Sequence, residues 1–165
     1  MDTALQPVFS HVEPVFPVRD IPSTIRYWKE TLGFPQHWAW GDPPSNGGVS
    51  WQKAFVQFLR HPALAETSKG NSIWIRLHHV EALYAFHQAS GAEIVAPLEL
   101  HAYGMAQYSV KEINGYYVHF AGNPVGRDSS AEGRVGGREV GNYIMRIVER
   151  KPSVEEYSRL QESLW

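Results

Sequence analysis

Cysteine is absent from this chain of 165 residues, which removes disulfides, thiolate metal sites and a thiol nucleophile together. Any metal would have to be held by His, carboxylate, amide or water. An excess of basic charge is missing too: 15 Lys and Arg against 17 Asp and Glu leave a net charge of −2. The basic residues are scattered singly, and nucleic-acid binding, which draws on clustered cations and counterion release, is disfavoured. No apolar run approaches a membrane span, and Met1 to Phe9 lacks both a basic start and an apolar stretch, so neither a membrane segment nor a signal peptide is expected. These absences suit a cytoplasmic protein. No HExxH motif occurs, and the Gly-rich VGRDSSAEGRVGG lacks the GK[ST] ending of a phosphate loop.

Aromatic residues, in contrast, are plentiful: six Trp, eight Tyr and seven Phe. Such rings often line small-molecule pockets, although a ring in a strand is more often plain core. The clearest stretch is Met105 to Phe120, MAQYSVKEINGYYVHF, where two β-rich segments meet at Asn114-Gly115. That dipeptide supplies the positive φ angles of a tight hairpin. In the second strand Tyr117 and His119 share one face, and Tyr116, Val118 and Phe120 share the other. His119 is thus a polar, metal-competent residue in an apolar strand.

Taken in order, Glu13 to Val18 (EPVFPV) reads as a strand whose prolines place it at an edge. RDIPSTIRYWKETLGF reads as a helix: Asp20 caps it, Pro22 lies in its first turn, Ile25, Trp28 and Leu32 recur at helical spacing, and Gly33 stops it. Three β-like pieces follow, Pro35 to Trp40, Gly48 to Trp51 and Ala54 to Leu59, with GDPPSNGG read as a solvent loop. In the third piece Phe55, Gln57 and Leu59 share one face. HPALAETSKGN is read as a break. Ser72 to Leu77 is a strand with Ser72, Trp74 and Arg76 on one side. Val80 to Ser90 is a helix ended by Gly91, and Glu93 to Ala96 is a short strand leading to the hairpin.

The order strand, helix, three strands therefore occurs twice, an internal repeat of about 55 residues inferred from element order. The fold class expected is α+β: two βαβββ modules, about 13–60 and 72–121, forming a cup-shaped half-barrel with helices outside. This unit spans 1–122. Residues 123–141 read as a linker, and 142–165 as a strand and helix extension that docks on the body or on a second subunit.

The element order, with VRDIPSTIRYWKETLGF, VQFLRHPAL, VEALYAFHQASGAEIV and EINGYYVHF, resembles the vicinal oxygen chelate superfamily. Within it the likeness is to bleomycin resistance proteins more than to glyoxalase I. The resemblance implies a cup commonly completed in a homodimer, with metal-ligand positions in its enzymes falling here at Glu13, Gln57, Ser72 and His119. Ser72 departs from the pattern, where a His would stand, and a single His among the four argues against a ferrous dioxygenase. No cofactor is expected on this basis, while Glu13, Gln57 and His119 leave room for a divalent ion such as Mn, Fe, Ni or Zn.

Two functional readings follow. One is a binding protein that sequesters a small molecule without catalysis. The other is a metal-dependent lyase, isomerase or dioxygenase acting on a substrate with vicinal oxygens. Candidate ligand-binding residues are Trp38, Trp40, Trp51, Trp74, Arg76, His101, Tyr103 and Tyr117. Each has a plainer alternative: core packing for the rings, solvent exposure for Arg76, and solvation at the cup mouth for Glu13 and Gln57. His78-His79 is discounted because neighbours in a strand point to opposite faces, and His11, His37, His61 and His87 have no partner at ligand spacing.

Overall fold

The computed structural model describes residues 8–124; the linker and extension expected beyond them lie outside the described residues. The first module runs β1 (Val15–Val18), α1 (Ile21–Glu30), β2 (Gln36–Gly41), β3 (Pro44–Trp51) and β4 (Ala54–Arg60). After α2 (Pro62–Thr67) the second runs β5 (Ser72–Arg76), α3 (Val80–Ser90), β6 (Glu93–Leu100), β7 (Ala106–Lys111) and β8 (Tyr117–Gly122). Each module folds its four strands into one mixed sheet, ordered β1-β4-β3-β2 and β5-β8-β7-β6. In both, the first strand pairs in parallel with the last and lies at an edge. The fold is α+β, and the sheets are not closed into a barrel.

Local chemistry explains the helices. The Asp20 carboxylate accepts from the Ser23 N–H at 2.9 Å, capping α1, and Ile21, Thr24, Ile25 and Trp28 bury one face of it. Gly91, at φ +79, ends α3 in the left-handed region that a Cβ disfavours.

Three expectations need correction. GDPPSNGG is not a loop: β3 starts at Pro44, and Asn46 pairs with both Trp40 and Leu59. Its glycines answer to close approach, since a Cβ on Gly47 would stand 2.7 Å from Ile21 Cγ2 and one on Gly48 2.6 Å from Trp38 Nε1. HPALAET is not merely a break: Pro62 begins α2, and His61 Nδ1 accepts from the Leu64 N–H as its cap. The hairpin turn is wider than Asn-Gly alone requires. Gly115 has φ +89 and Asn114 does not share the left-handed region; the closing bonds run from Glu112 N–H to Tyr116 O and from Gly115 N–H to Glu112 O.

The helix-side faces of both sheets join one core. Phe16 of β1 stacks on Tyr116 at 4.2 Å, and Trp28 of α1 donates its indole N–H to the buried carboxylate of Glu112 at 3.3 Å. Ser90 at the end of α3 donates to the Thr31 carbonyl just past α1, at 2.7 Å. His87 donates from Nε2 to the Leu32 carbonyl, which leaves Nδ1 to accept from the Tyr108 hydroxyl at 2.8 Å. Because the two modules meet through these faces, their opposite, open faces are left to solvent.

Candidate binding site

The strand registers define two matching rows across the open faces. In the first sheet Val15, Gln57, Gly48 and Trp38 stand side by side; in the second, Trp74, His119, Ser109 and Ala96 do. The repeat read from element order is thus also a repeat of position: Gln57 corresponds to His119, Gly48 to Ser109, and Glu13 to Ser72, two residues before each row. Ser72 itself pairs with Tyr117, and Trp74 faces His119.

On the first open face Gln57 donates its amide to Glu13, and His11 contacts the same carboxylate at 2.6 Å. These bonds, the one from Gln57 first, hold the Glu13 carboxyl below its usual value. The His11 ring also stacks on Phe55 at 4.3 Å, so His11 does have partners, this ring and the Glu13 carboxylate two residues on. Trp38 and Trp40 project from β2 with 46% and 70% of their surface exposed, so neither is core.

On the second face His119 Nδ1 bonds the Ser109 hydroxyl at 2.7 Å, its ring centre lies 5.2 Å from that of Trp74, and burial pulls its pKa down. Trp74 remains 50% exposed. His101 and Tyr103 stack in parallel at 5.1 Å, and the Tyr103 hydroxyl donates to Gln107. Tyr117 is partly buried on this face, between Ser72 and Lys111. The fold therefore brings Glu13 to Gln57 but sets His119 on the other sheet. Among the described residues no group of three or more His, Asp or Glu side chains is placed to hold a metal ion.

A groove of about 1000 Å³ opens between the β3–β4 turn and β5. Its wall carries Phe34, Trp51, Ile73, Ile75, Leu83 and Phe120, and its rim carries Lys53, Trp74, Arg76, His78 and His79. Trp51 reaches it from the helix side of its sheet, edge-on to Phe34 at 6.0 Å. Because β5 is an edge strand, Ile73, Ile75 and Leu77 are only partly covered.

Comparison with protein-family models and with curated proteins yields no match; comparison with solved structures does. TioX from Micromonospora sp. ML1 is 19% identical, with a TM-score of 0.62 over 70% of this chain and 100% of that one. The bleomycin-binding protein of Streptomyces verticillus, solved with copper(II)-bleomycin, is 20% identical, with a TM-score of 0.61 over 72% of this chain and 100% of its own. A glyoxalase-related enzyme from Clostridium phytofermentans is 16% identical, with a TM-score of 0.59 over 72% and 98%. The chain has the bleomycin-resistance fold.

Within this bleomycin-resistance fold, Trp51, Trp74 and Arg76 of the expected set line one groove, which no local sequence pattern marks. Lys53 sits in the tight turn after Trp51, where a lone Lys carries no sequence signal. His78 and His79 are not strand neighbours: they follow β5, and His79, with φ +57, turns the chain into α3. A polar pair between a strand and a helix was the available signal for a bend at a rim.

Proposed function

We propose that this protein binds and sequesters a small, flat, largely apolar molecule, without catalysis. The observation that carries the reading is the groove, whose volume suits a drug-sized ligand and whose lining includes Trp51 and Trp74. The exposed rings of Trp38 and Trp40 add stacking surface on the open face of the first sheet. Bleomycin binding by a protein of the same fold supports the ligand class in general terms. The working unit in this reading is a cytoplasmic homodimer, with a second copy covering the open faces. It takes no nucleic-acid or membrane partner; among the described residues no helix is long and apolar enough to cross a membrane.

Titration with a panel of flat heteroaromatic compounds should quench Trp fluorescence saturably at micromolar ligand, and Trp74→Ala should weaken binding by about tenfold, a stacked ring contributing about 1 kcal/mol or somewhat more. A panel without a single saturable binder would end this reading.

A metal-dependent enzyme is the second reading, favoured by one observation: Gln57 and Glu13, two of the implied ligand positions, are in contact. His119 stands on the second sheet and bonds Ser109 instead, and Glu13 with Gln57 alone is a poor metal set. Protein purified without chelator decides the matter. The sequestering reading expects no stoichiometric metal and no thermal shift with Mn, Fe, Co, Ni or Zn; one bound metal per chain would favour the enzyme.

A further inference from the structure

The groove beside β5 has a charge pattern that its apolar wall does not explain. Lys53, Arg76, His78 and His79 line it, and among the described residues no Asp or Glu does. Among the described residues neither Lys53 nor Arg76 forms an ion pair; the Arg76 guanidinium meets only the Met105 sulfur, at 2.8 Å. Glu13 lies in sequence between two groove residues, Val12 and Pro14, yet turns to Gln57 and His11. Glu81, the acid nearest in sequence to His79, is buried in the first turn of α3 and does not line the groove. Two permanent cations without counter-ions among the described residues thus edge a cleft of Phe34, Trp51, Ile73 and Ile75.

We propose that the groove takes an anionic amphiphile: an organic carboxylate whose flat apolar body lies against Trp51, Ile73 and Ile75 while its carboxylate meets Arg76 and Lys53. The assignment deepens the small-molecule reading above and rests on it. Its reason is complementarity in two parts. The apolar wall rewards burial of a ring or chain. Arg76 presents a planar fork that matches a carboxylate in two parallel hydrogen bonds, stronger than neutral ones. A cationic ligand would meet like charge at the rim.

The test uses three probes of one shape, 2-naphthoate, neutral 2-naphthamide and 2-naphthylmethylammonium, titrated calorimetrically into the full chain at low salt. Naphthoate should bind at least tenfold more tightly than either analogue, the advantage expected of one charge-assisted contact. Lys53→Gln with Arg76→Gln should erase that advantage, so that naphthoate and naphthamide bind the double variant alike. Lys53→Glu with Arg76→Glu should transfer the preference to the ammonium; these side chains are exposed, so folding is not at stake. If naphthamide binds and naphthoate binds no better, the charge assignment fails and the small-molecule reading stands. If none of the three binds, both fail at this groove. An affinity that weakens as protein concentration rises would mean that a second copy occupies the groove, and would overturn the assignment as well.

Discussion

Glu112→Ala should destabilise the protein by about 3–5 kcal/mol, a loss read as a lower urea midpoint with an unchanged slope. The side chain is 2% exposed and accepts four hydrogen bonds. The N–H groups of Asn114 and Tyr116 reach one oxygen at 2.7 and 3.2 Å, and the Asn114 amide and Trp28 indole reach the other at 3.0 and 3.3 Å. Alanine would leave those donors unpaired in a place water cannot easily reach. The contact also joins the modules, because Trp28 belongs to α1 and the Asn114 amide donates onward to Thr24, at 3.1 Å. Burial pushes the Glu112 carboxyl up, and the hydrogen bonds only partly offset this. The sign follows: the group contributes most to stability when protonated, and that contribution is lost as pH rises from the unfolded value through the raised folded one. A cost below about 1 kcal/mol for Glu112→Ala would show that the donors find other partners, and that the hairpin does not depend on this carboxylate.

Acid should act in the opposite sense through His87. Its ring is fully buried and neutral, with Nε2–H donated to Leu32 O and Nδ1 accepting from Tyr108, and desolvation pulls its pKa from 6.5 to about 4. Below pH 6.5 the unfolded chain takes up a proton that the folded chain refuses. Stability is therefore fully present above the unfolded value and falls as pH drops toward 4, by about 2 kcal/mol at pH 5 for this group alone. Urea unfolding of the parent and His87→Gln at pH 7.5 and pH 5 isolates the effect. The variant should be weaker at pH 7.5, because an imidazole bridging two modules is lost, yet nearly free of this component of the acid loss. Parallel pH profiles in the two proteins would show that His87 is not the titrating group.

Neither residue carries a sequence signal for the work it does. Glu112 precedes the Asn-Gly turn and reads as a polar strand end; His87 falls in the apolar stripe of a helix and reads as one more histidine. Periodicity places a side chain on a face but does not name what lies across from it. The same limit applies at the candidate site. Alternation grouped Trp74 with Arg76 in one strand and Tyr117 with His119 in another, because the two-residue period of a strand is local; the β5–β8 register sets the two groups side by side. Alternation could not show that Glu13 would take Gln57 and His11 as partners, or that Trp51, on the helix side of its sheet, would reach the groove.

The sequence by itself determined the strong local signals: the Asp20 cap, the glycine stops, the alternation in β5 and β8, and the doubled order of elements. It also determined the absence of cysteine. Only the tertiary structure decided how the two modules meet. They join through their helix-side faces, so Phe16 finds Tyr116, Trp28 finds Glu112, and the open faces with Trp38, Trp40, Trp74 and His119 stay outside the shared core. The groove exists for the same reason. It lies where the edge of β5 and the turn carrying Lys53 come close across a sequence gap, and closeness of that kind depends on the packing of whole sheets, to which no local pattern gives access.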